Sequence, residues 1–285
     1  MRIIRNTTEM TDWSQAERQQ GHRIAFVPTM GALHEGHLSL VREAKRRGDR
    51  VVVSIFVNPT QFAPAEDFAA YPRDFARDCS LLEIEEIDVL FHPSAEEIYP
   101  LGNQTHVEVQ QLSKILCGLQ RPGHFRGVAT VVTKLFNVVR PDVAIFGEKD
   151  YQQLQVIRRL VRDLLLDIEI VGHPIVRESD GVAMSSRNAY LNADQRKAAR
   201  CLSRSLSKAE CLVRQGEVSA KTIVEVVIAE LQAEPLAVVE YVAICDAETL
   251  EPLDQIRHSA LLALSVTIGK ARLIDDAVLL RSPGE

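Results

Sequence analysis

The chain reads as an α/β protein, a parallel sheet with helices on both faces followed by a smaller α+β domain, and its layout supports that in two places. Up to about His173, short runs rich in Val and Ile alternate with helical patterns, the order that builds a parallel sheet from strand–helix–strand units. Beyond it, two amphipathic helical segments precede strands joined by short polar loops, the order of an α+β domain. A length of 285 residues leaves room for one large domain or two smaller ones.

The first strand is Arg23–Val27, a buried run of Ile24, Ala25, Phe26 and Val27 stopped by Pro28. Leu38, Val41 and Ala44 recur at helical spacing and predict a helix over Leu38–Arg47, ended by Gly48. Strands follow at Arg50–Val57, Ile87–Phe91, Asp142–Phe146 and Ile168–Val171, with helices at Phe75–Ile84, Val128–Val139 and Tyr151–Leu165 between them. The pattern then changes, which sets the domains at 1–174 and 175–285. In the second, Asn192–Gly216 carries Ala199, Leu202, Leu206, Ala209 and Val213 on one side, and Ser219–Ala233 is a further helix. Val238–Ile244 and Ala260–Ile268 are strands, with a third near Ala271–Ile274.

Composition narrows the function classes. Hydrophobic content of 46% and charged content of 25% are those of an ordinary globular protein. A formal charge of −6 argues against nucleic acid as the main partner. No run of about 18 apolar residues is present to span a membrane, and the N-terminus lacks the apolar core of a signal peptide. Cys79, Cys117, Cys201, Cys211 and Cys245 are odd in number and widely spaced, so a cytoplasmic protein with reduced thiols is expected.

Ligands of open parallel sheets sit at the carboxyl ends of the strands, and three polar segments follow such ends. The first, Pro28-Thr29-Met30-Gly31-Ala32-Leu33-His34-Glu35-Gly36-His37, turns on glycine and opens a helix. His34 and His37 are three apart and share a face, beside the free N–H groups and positive end of the helix dipole. Two imidazoles there suit phosphate oxygens and charge developing at phosphorus, and Gly31 and Gly36 let a nucleotide approach the backbone. The tetrapeptide His-x-Gly-His by itself is short enough to arise by chance; its strand–turn–helix setting is what marks a nucleotide site.

After the strand ending at Phe146 comes Gly147-Glu148-Lys149-Asp150. Gly147 lets ribose pack on backbone, Asp150 can accept from ribose hydroxyls and Lys149 can meet phosphate, although an N-capping acidic cluster would look the same. Met184-Ser185-Ser186-Arg187-Asn188 offers hydroxyls, successive amides and an arginine fork to phosphates, or is a plain polar loop. Gln61, in Asn58-Pro59-Thr60-Gln61-Phe62, and Gln153 carry neutral amides that can hold a hydroxy-acid, and could equally be surface glutamines. Arg121-Pro122-Gly123-His124-Phe125-Arg126-Gly127 either touches ligand or shapes the cleft wall.

Together with Tyr71-Pro72-Arg73, these motifs, in their order along the chain, resemble the pantoate–β-alanine ligase family. The resemblance spans most of the chain up to Asn188 and rests beyond about Asn192 on length and layout alone. It implies a Rossmann-like nucleotidyltransferase domain, a smaller C-terminal domain covering the cleft, a homodimer, and ATP with Mg²⁺ as cosubstrate. The implied reaction joins pantoate to β-alanine through a pantoyl adenylate, releasing AMP and pyrophosphate. The resemblance makes His37, His34 and Lys149 catalytic. It gives ATP the run Met30, Gly31, Ala32, Leu33, His34, Glu35, Gly36 and His37, then Gly147, Glu148, Lys149 and Asp150. Ser185, Ser186 and Arg187 beside Met184 take its phosphates, and Val176 meets adenine through its backbone. Gln61 and Gln153 orient pantoate, with Gln61 also near β-alanine. No Mg²⁺ ligand is assigned.

Two other classes share parts of this pattern. A tRNA-charging synthetase would carry a Lys-Met-Ser-Lys-Ser-type loop and an RNA-binding extension, and an adenylyltransferase acting on a phosphate would want more arginine than Gln61 and Gln153 offer. A non-catalytic nucleotide sensor would have no need of both histidines and Lys149.

Overall fold

The protein's computed structural model describes residues 1–64, 66 and 68–280. It packs as two compact units, residues 1–148 with 153–174, and residues 149–152 with 175–285.

The first unit holds a six-stranded sheet of β1 (Arg2–Ile4), β2 (Ile24–Thr29), β3 (Arg50–Ile55), β4 (Val89–Phe91), β5 (Val143–Gly147) and β6 (Glu169–His173). The order is β1-β4-β3-β2-β5-β6, with every neighbouring pair parallel. Its helices are α1 (Thr7–Gln19), α2 (Glu35–Arg47), α3 (Phe75–Ile84), α4 (Ala95–Ile98), α5 (Cys117–Gln120), α6 (His124–Val139) and α7 (Tyr151–Asp163). Successive side chains of a strand point to opposite faces, so a sheet covered on both needs apolar residues at every position. β2 meets this: Ile24 and Phe26 join the core with Met10 of α1, Val128 and Val132 of α6 and Ile157 of α7. Ala25 and Val27 join the opposite core with Val41 and Ala44 of α2 and Leu82 of α3. Each large side chain so buried contributes about 1.5–3 kcal/mol.

The topology places the site. From β2 the chain runs outward to β3 and β4, then returns to lay β5 on the other side of β2. That reversal makes a crevice beyond the carboxyl ends of β2 and β5. β2 pairs with β3 through all six of its residues, but with β5 only at Ala25 and Phe26.

This pairing also corrects the reading of Pro28. The strand does not stop there but continues through Thr29, because beyond Phe26 no ladder to β5 remains for a missing N–H to interrupt. β1 and α1 have little signal in the sequence. β1 is three residues long with two exposed, and α1 is rich in polar residues and held by Met10 and Trp13. α2 and α6 begin earlier than the apolar periodicity, at Glu35 and His124, since a first helical turn need not be apolar.

In the second unit α8 (Ala193–Arg214) and α9 (Ala220–Gln232) cover an antiparallel sheet of β7 (Ala237–Cys245), β8 (Ser259–Ile268) and β9 (Ala271–Leu280), in the order β7-β8-β9. Asn192 caps α8 in a capping box with Gln195, and Ser219 caps α9. The third strand runs to Leu280, farther than the sequence suggested, because Asp275 and Asp276 break its apolar pattern yet are themselves buried. No helix among the described residues is long and apolar enough to cross a membrane.

Candidate active site

The loop after β2 takes its shape from hydrogen bonds made within the protein. Gly31 and Ala32 are both left-handed, at φ 79° and 51°. Thr29 Oγ1 accepts from Gly31 N–H at 3.2 Å and donates to Ser54 O at 2.7 Å. Ala32 and Leu33 N–H donate to the two carboxylate oxygens of buried Asp78 at 2.9 and 2.8 Å. Gly31 is glycine for this loop geometry: a Cβ there would lie 3.0 Å from both Asp78 Oδ2 and Ile55 Cγ2. Burial pushes the Asp78 carboxyl above its ordinary value, against the pull of the two amides.

These bonds redistribute the donors expected to face a phosphate. Ala32 and Leu33 N–H are committed to Asp78, and His34 N–H donates to His37 Nδ1 at 3.4 Å. The N–H groups of Glu35 and Gly36 fall in the first turn of α2, where a helix has no internal acceptor for them. The Glu35 carboxylate is held by Arg42. The two imidazoles lie together, ring centroids 4.0 Å apart. In the tautomer that accepts this N–H at Nδ1, the His37 proton sits on Nε2, a hydrogen-bond donor.

Gln61 is buried in a 3₁₀ turn, Pro59–Gln61, capped by Asn58. Its Nε2 donates to Met30 Sδ at 2.9 Å, which joins this turn to the loop after β2. Asn58 Nδ2 donates to Gln61 Oε1 and to Gly127 O, both at 3.1 Å, while Asn58 Oδ1 accepts from Tyr99 OH at 2.9 Å. Sequence reasoning did not single out Asn58, although Asn before Pro is a helix-start signal. The run Arg121–Gly127, left without a role by the sequence, buttresses this turn. His124 Nδ1 donates to Gln61 O at 2.8 Å, and Arg121 donates to the same oxygen at 3.3 Å and to Glu66 at 2.7 and 2.5 Å. Burial works to raise the Glu66 carboxyl, but the Arg121 fork brings it below its ordinary value. Gly127 packs α6 directly on the turn, since a Cβ there would meet Thr60 O at 2.4 Å.

Gly147 ends β5, and a Cβ built on it meets nothing within 4 Å, so the packing of the protein itself does not require glycine there. Glu148 lies against Gly172 of β6, and Gln153 is half-buried in the first turn of α7.

Lys149 and Asp150 pack with the second unit. There Lys149, Ser185, Asn188 and Asp275 line one small pocket. Ser185 caps the 3₁₀ turn Ser186–Tyr190, accepting from Arg187 N–H at 3.3 Å. Asn188 donates to Glu178 at 2.8 Å and to Ala183 O at 3.1 Å, and Arg196 clamps Glu178 and Asp180 from α8. Val176 O accepts from Met184 N–H at 2.9 Å, in a hairpin that fixes the start of the serine loop. Beneath it Arg177 forks onto buried Asp275 at 2.7 and 3.0 Å. Burial, and then the charge of Asp275, raise the neighbouring Asp276 carboxyl well above its ordinary value, with Lys149 and Arg177 opposing.

Among the described residues no three of His, Cys, Asp and Glu gather into a metal-holding cluster.

Residues 2–278 match the family model described as pantoate-beta-alanine ligase. A pantothenate synthetase of Heliobacterium modesticaldum is 55% identical, over 98% of this chain and 99% of its own. One from Thermotoga neapolitana is 56% identical, over 98% and 100%. The crystal structure of pantothenate synthetase from Thermus thermophilus superposes with a TM-score of 0.93 at 45% identity, covering 97% of this chain and 99% of that one. The pantoate-beta-alanine ligase of Francisella tularensis, complexed with beta-gamma ATP and beta-alanine, gives a TM-score of 0.81 at 34% identity, covering 98% and 97%.

Proposed function

We propose that this chain, which belongs to the pantoate–β-alanine ligase family, joins pantoate to β-alanine with ATP, giving pantothenate, AMP and pyrophosphate. Identity of 55% across nearly the whole chain carries the reading. The His34–His37 loop at the crevice of the parallel sheet agrees with it. Chemistry dictates two steps. A carboxylate does not acylate an amine in water, because its oxygen is a poor leaving group. The pantoate carboxylate therefore attacks the α-phosphorus of ATP, forming the acyl–phosphate bond and expelling pyrophosphate. The amine of β-alanine then attacks the acyl carbon, loses a proton and expels AMP.

The residues take the following parts. His37, donating from Nε2, and His34 beside it stabilise charge on the phosphates as pyrophosphate leaves. The Glu35 and Gly36 amides and the dipole of α2 add to this. Lys149, Ser185, Ser186 and Arg187 hold the remaining phosphates. Asp150 accepts from ribose hydroxyls, and the open face of Gly147 leaves room for the sugar. Val176 offers its N–H to adenine, its carbonyl being taken by Met184. Gln61, fixed from behind by Asn58, Arg121 and His124, orients pantoate with Gln153, and Met30 lines the same wall. Magnesium would enter with ATP, held chiefly by phosphate and water oxygens. The family resemblance supports a homodimer, and the five widely spaced cysteines support a cytoplasmic location.

The deciding experiment separates the half-reactions. With pantoate and ATP but no β-alanine, the enzyme exchanges labelled pyrophosphate into ATP, and adding β-alanine releases pantothenate. Exchange that requires β-alanine would overturn the adenylate route.

A further inference from the structure

We propose that Asp78 is a positioning residue for adenylate formation: its carboxylate is a built-in anion that holds the loop carrying His34 and His37. This rests on the assignment of those histidines to the phosphates.

Three observations carry it. Asp78 is 1% exposed, on α3, yet both its oxygens accept from consecutive amides of a loop 45 and 46 residues away in sequence. Two adjacent N–H groups converging on one carboxylate form an anion-binding nest, and the bonds are charge-assisted. The loop needs such a hold, because Gly31 and Ala32 are both left-handed, and an L-residue such as Ala32 keeps that conformation only where its surroundings impose it. Finally, α3 also holds the next peptide along: Arg77 donates to Leu33 O at 2.9 Å. Both polar groups of Leu33 are thus fixed by neighbouring residues of one helix, and the next residue is His34, the N-cap of α2.

Asp78 is too deep to touch a substrate and acts through where the imidazoles stand. Asn at this position keeps the shape but presents an N–H₂ to one of the two amide donors, so one bond becomes a donor–donor clash. The loop would relax toward ordinary φ values and carry His34 with it. A displacement of about 1 Å in a catalytic group costs up to roughly a hundredfold in rate.

The test has three arms on the full-length protein. In the wild type, amide hydrogen exchange at Ala32 and Leu33 should be as slow as in the core of α2, and rapid exchange would overturn the proposal. Asp78→Asn should lower kcat of pantoate-dependent pyrophosphate exchange by roughly tenfold to a hundredfold, leaving the pantoate KM within about twofold. Val139→Ala, which empties a buried site in α6 within the core on the other face of the sheet from Leu33 and α2, serves as the control for destabilisation alone and should keep its kcat. An equal fall in both variants, or full kcat in Asp78→Asn, refutes the positioning role. Should Asp78→Asn not fold, Arg77→Ala, altering a half-exposed side chain, should show a severalfold kcat loss, and none would refute it. His34→Ala in the same assay keeps the two readings apart. Full exchange in that variant removes the histidine assignment, whereas its loss beside an active Asp78→Asn removes only the proposal for Asp78.

Discussion

Gly127→Ala is the substitution whose consequence the geometry defines most closely. Gly127 lies in the first turns of α6, where alanine would ordinarily favour the helix by about 1 kcal/mol. Here an added Cβ would sit 2.4 Å from Thr60 O and 2.8 Å from Gln61 Cα, and both neighbours are backbone atoms. Comfortable separation for such atoms is about 3.5 Å, so the turn must retreat by roughly 1 Å. Overpacking of that kind costs about 1–3 kcal/mol, enough to reverse the propensity gain. The retreat also moves Gln61, and a misplacement of about 1 Å can cost a hundredfold in rate. Pyrophosphate exchange measured across pantoate and ATP concentrations should show kcat/KM for pantoate down by roughly tenfold to a hundredfold, with the ATP KM nearly unchanged. Thermal unfolding should move to lower temperature. Wild-type pantoate kinetics in this variant would refute the reasoning, provided Gln61→Ala alone is impaired. If Gln61→Ala is also unimpaired, the assignment of Gln61 to pantoate is what fails.

His37→Ala should fold normally yet lose about 3 kcal/mol of transition-state stabilisation, roughly a hundredfold in pyrophosphate exchange, and near-normal exchange would remove its catalytic part. Asp276→Asn should stabilise the protein increasingly as pH rises. The folded Asp276 carboxyl lies well above its ordinary value, so its contribution to stability is fully present below the unfolded carboxylate pKa and is lost as pH climbs through the raised folded one. Melting temperatures from pH 4 to 8 check this, and an advantage for the variant that shrinks toward pH 8 would contradict it.

Much of the fold is legible because burial on both faces of a parallel sheet writes itself into consecutive apolar residues. Ile24 to Val27 and Val51 to Val53 carry that pattern, and Asn192 marks a helix start by chemistry that needs no tertiary partner, whereas Gly48 ends α2 in extended backbone and is glycine because a Cβ there would meet Ala25 Cβ of β2 at 2.7 Å. β1 escapes because three residues at a sheet edge bury too little to leave a pattern. Within the site, the histidine loop, the Gln61 turn and the serine loop stand out as runs of polar and glycine residues at strand ends. The residues that shape them do not. Asp78 is one acid in a charged helix until the loop folds onto it. Arg121 and His124 read as a basic loop that either touches ligand or shapes the cleft wall, and only their closing on the Gln61 carbonyl decides for the wall.

The sequence by itself determined the parallel sheet, the following α+β segment and the motifs that carry the chemistry, because periodicity and local turn chemistry are properties of neighbours along the chain. The tertiary structure alone decided which donors remain for a ligand. Ala32 and Leu33 belong to the signature run, yet their N–H groups are committed to a carboxylate far along the chain. It alone decided also that Lys149 packs with the C-terminal unit rather than with the strand preceding it. Both follow from one physical fact. A buried polar group must find a partner, and that partner is chosen by proximity in space, which one-dimensional spacing does not encode.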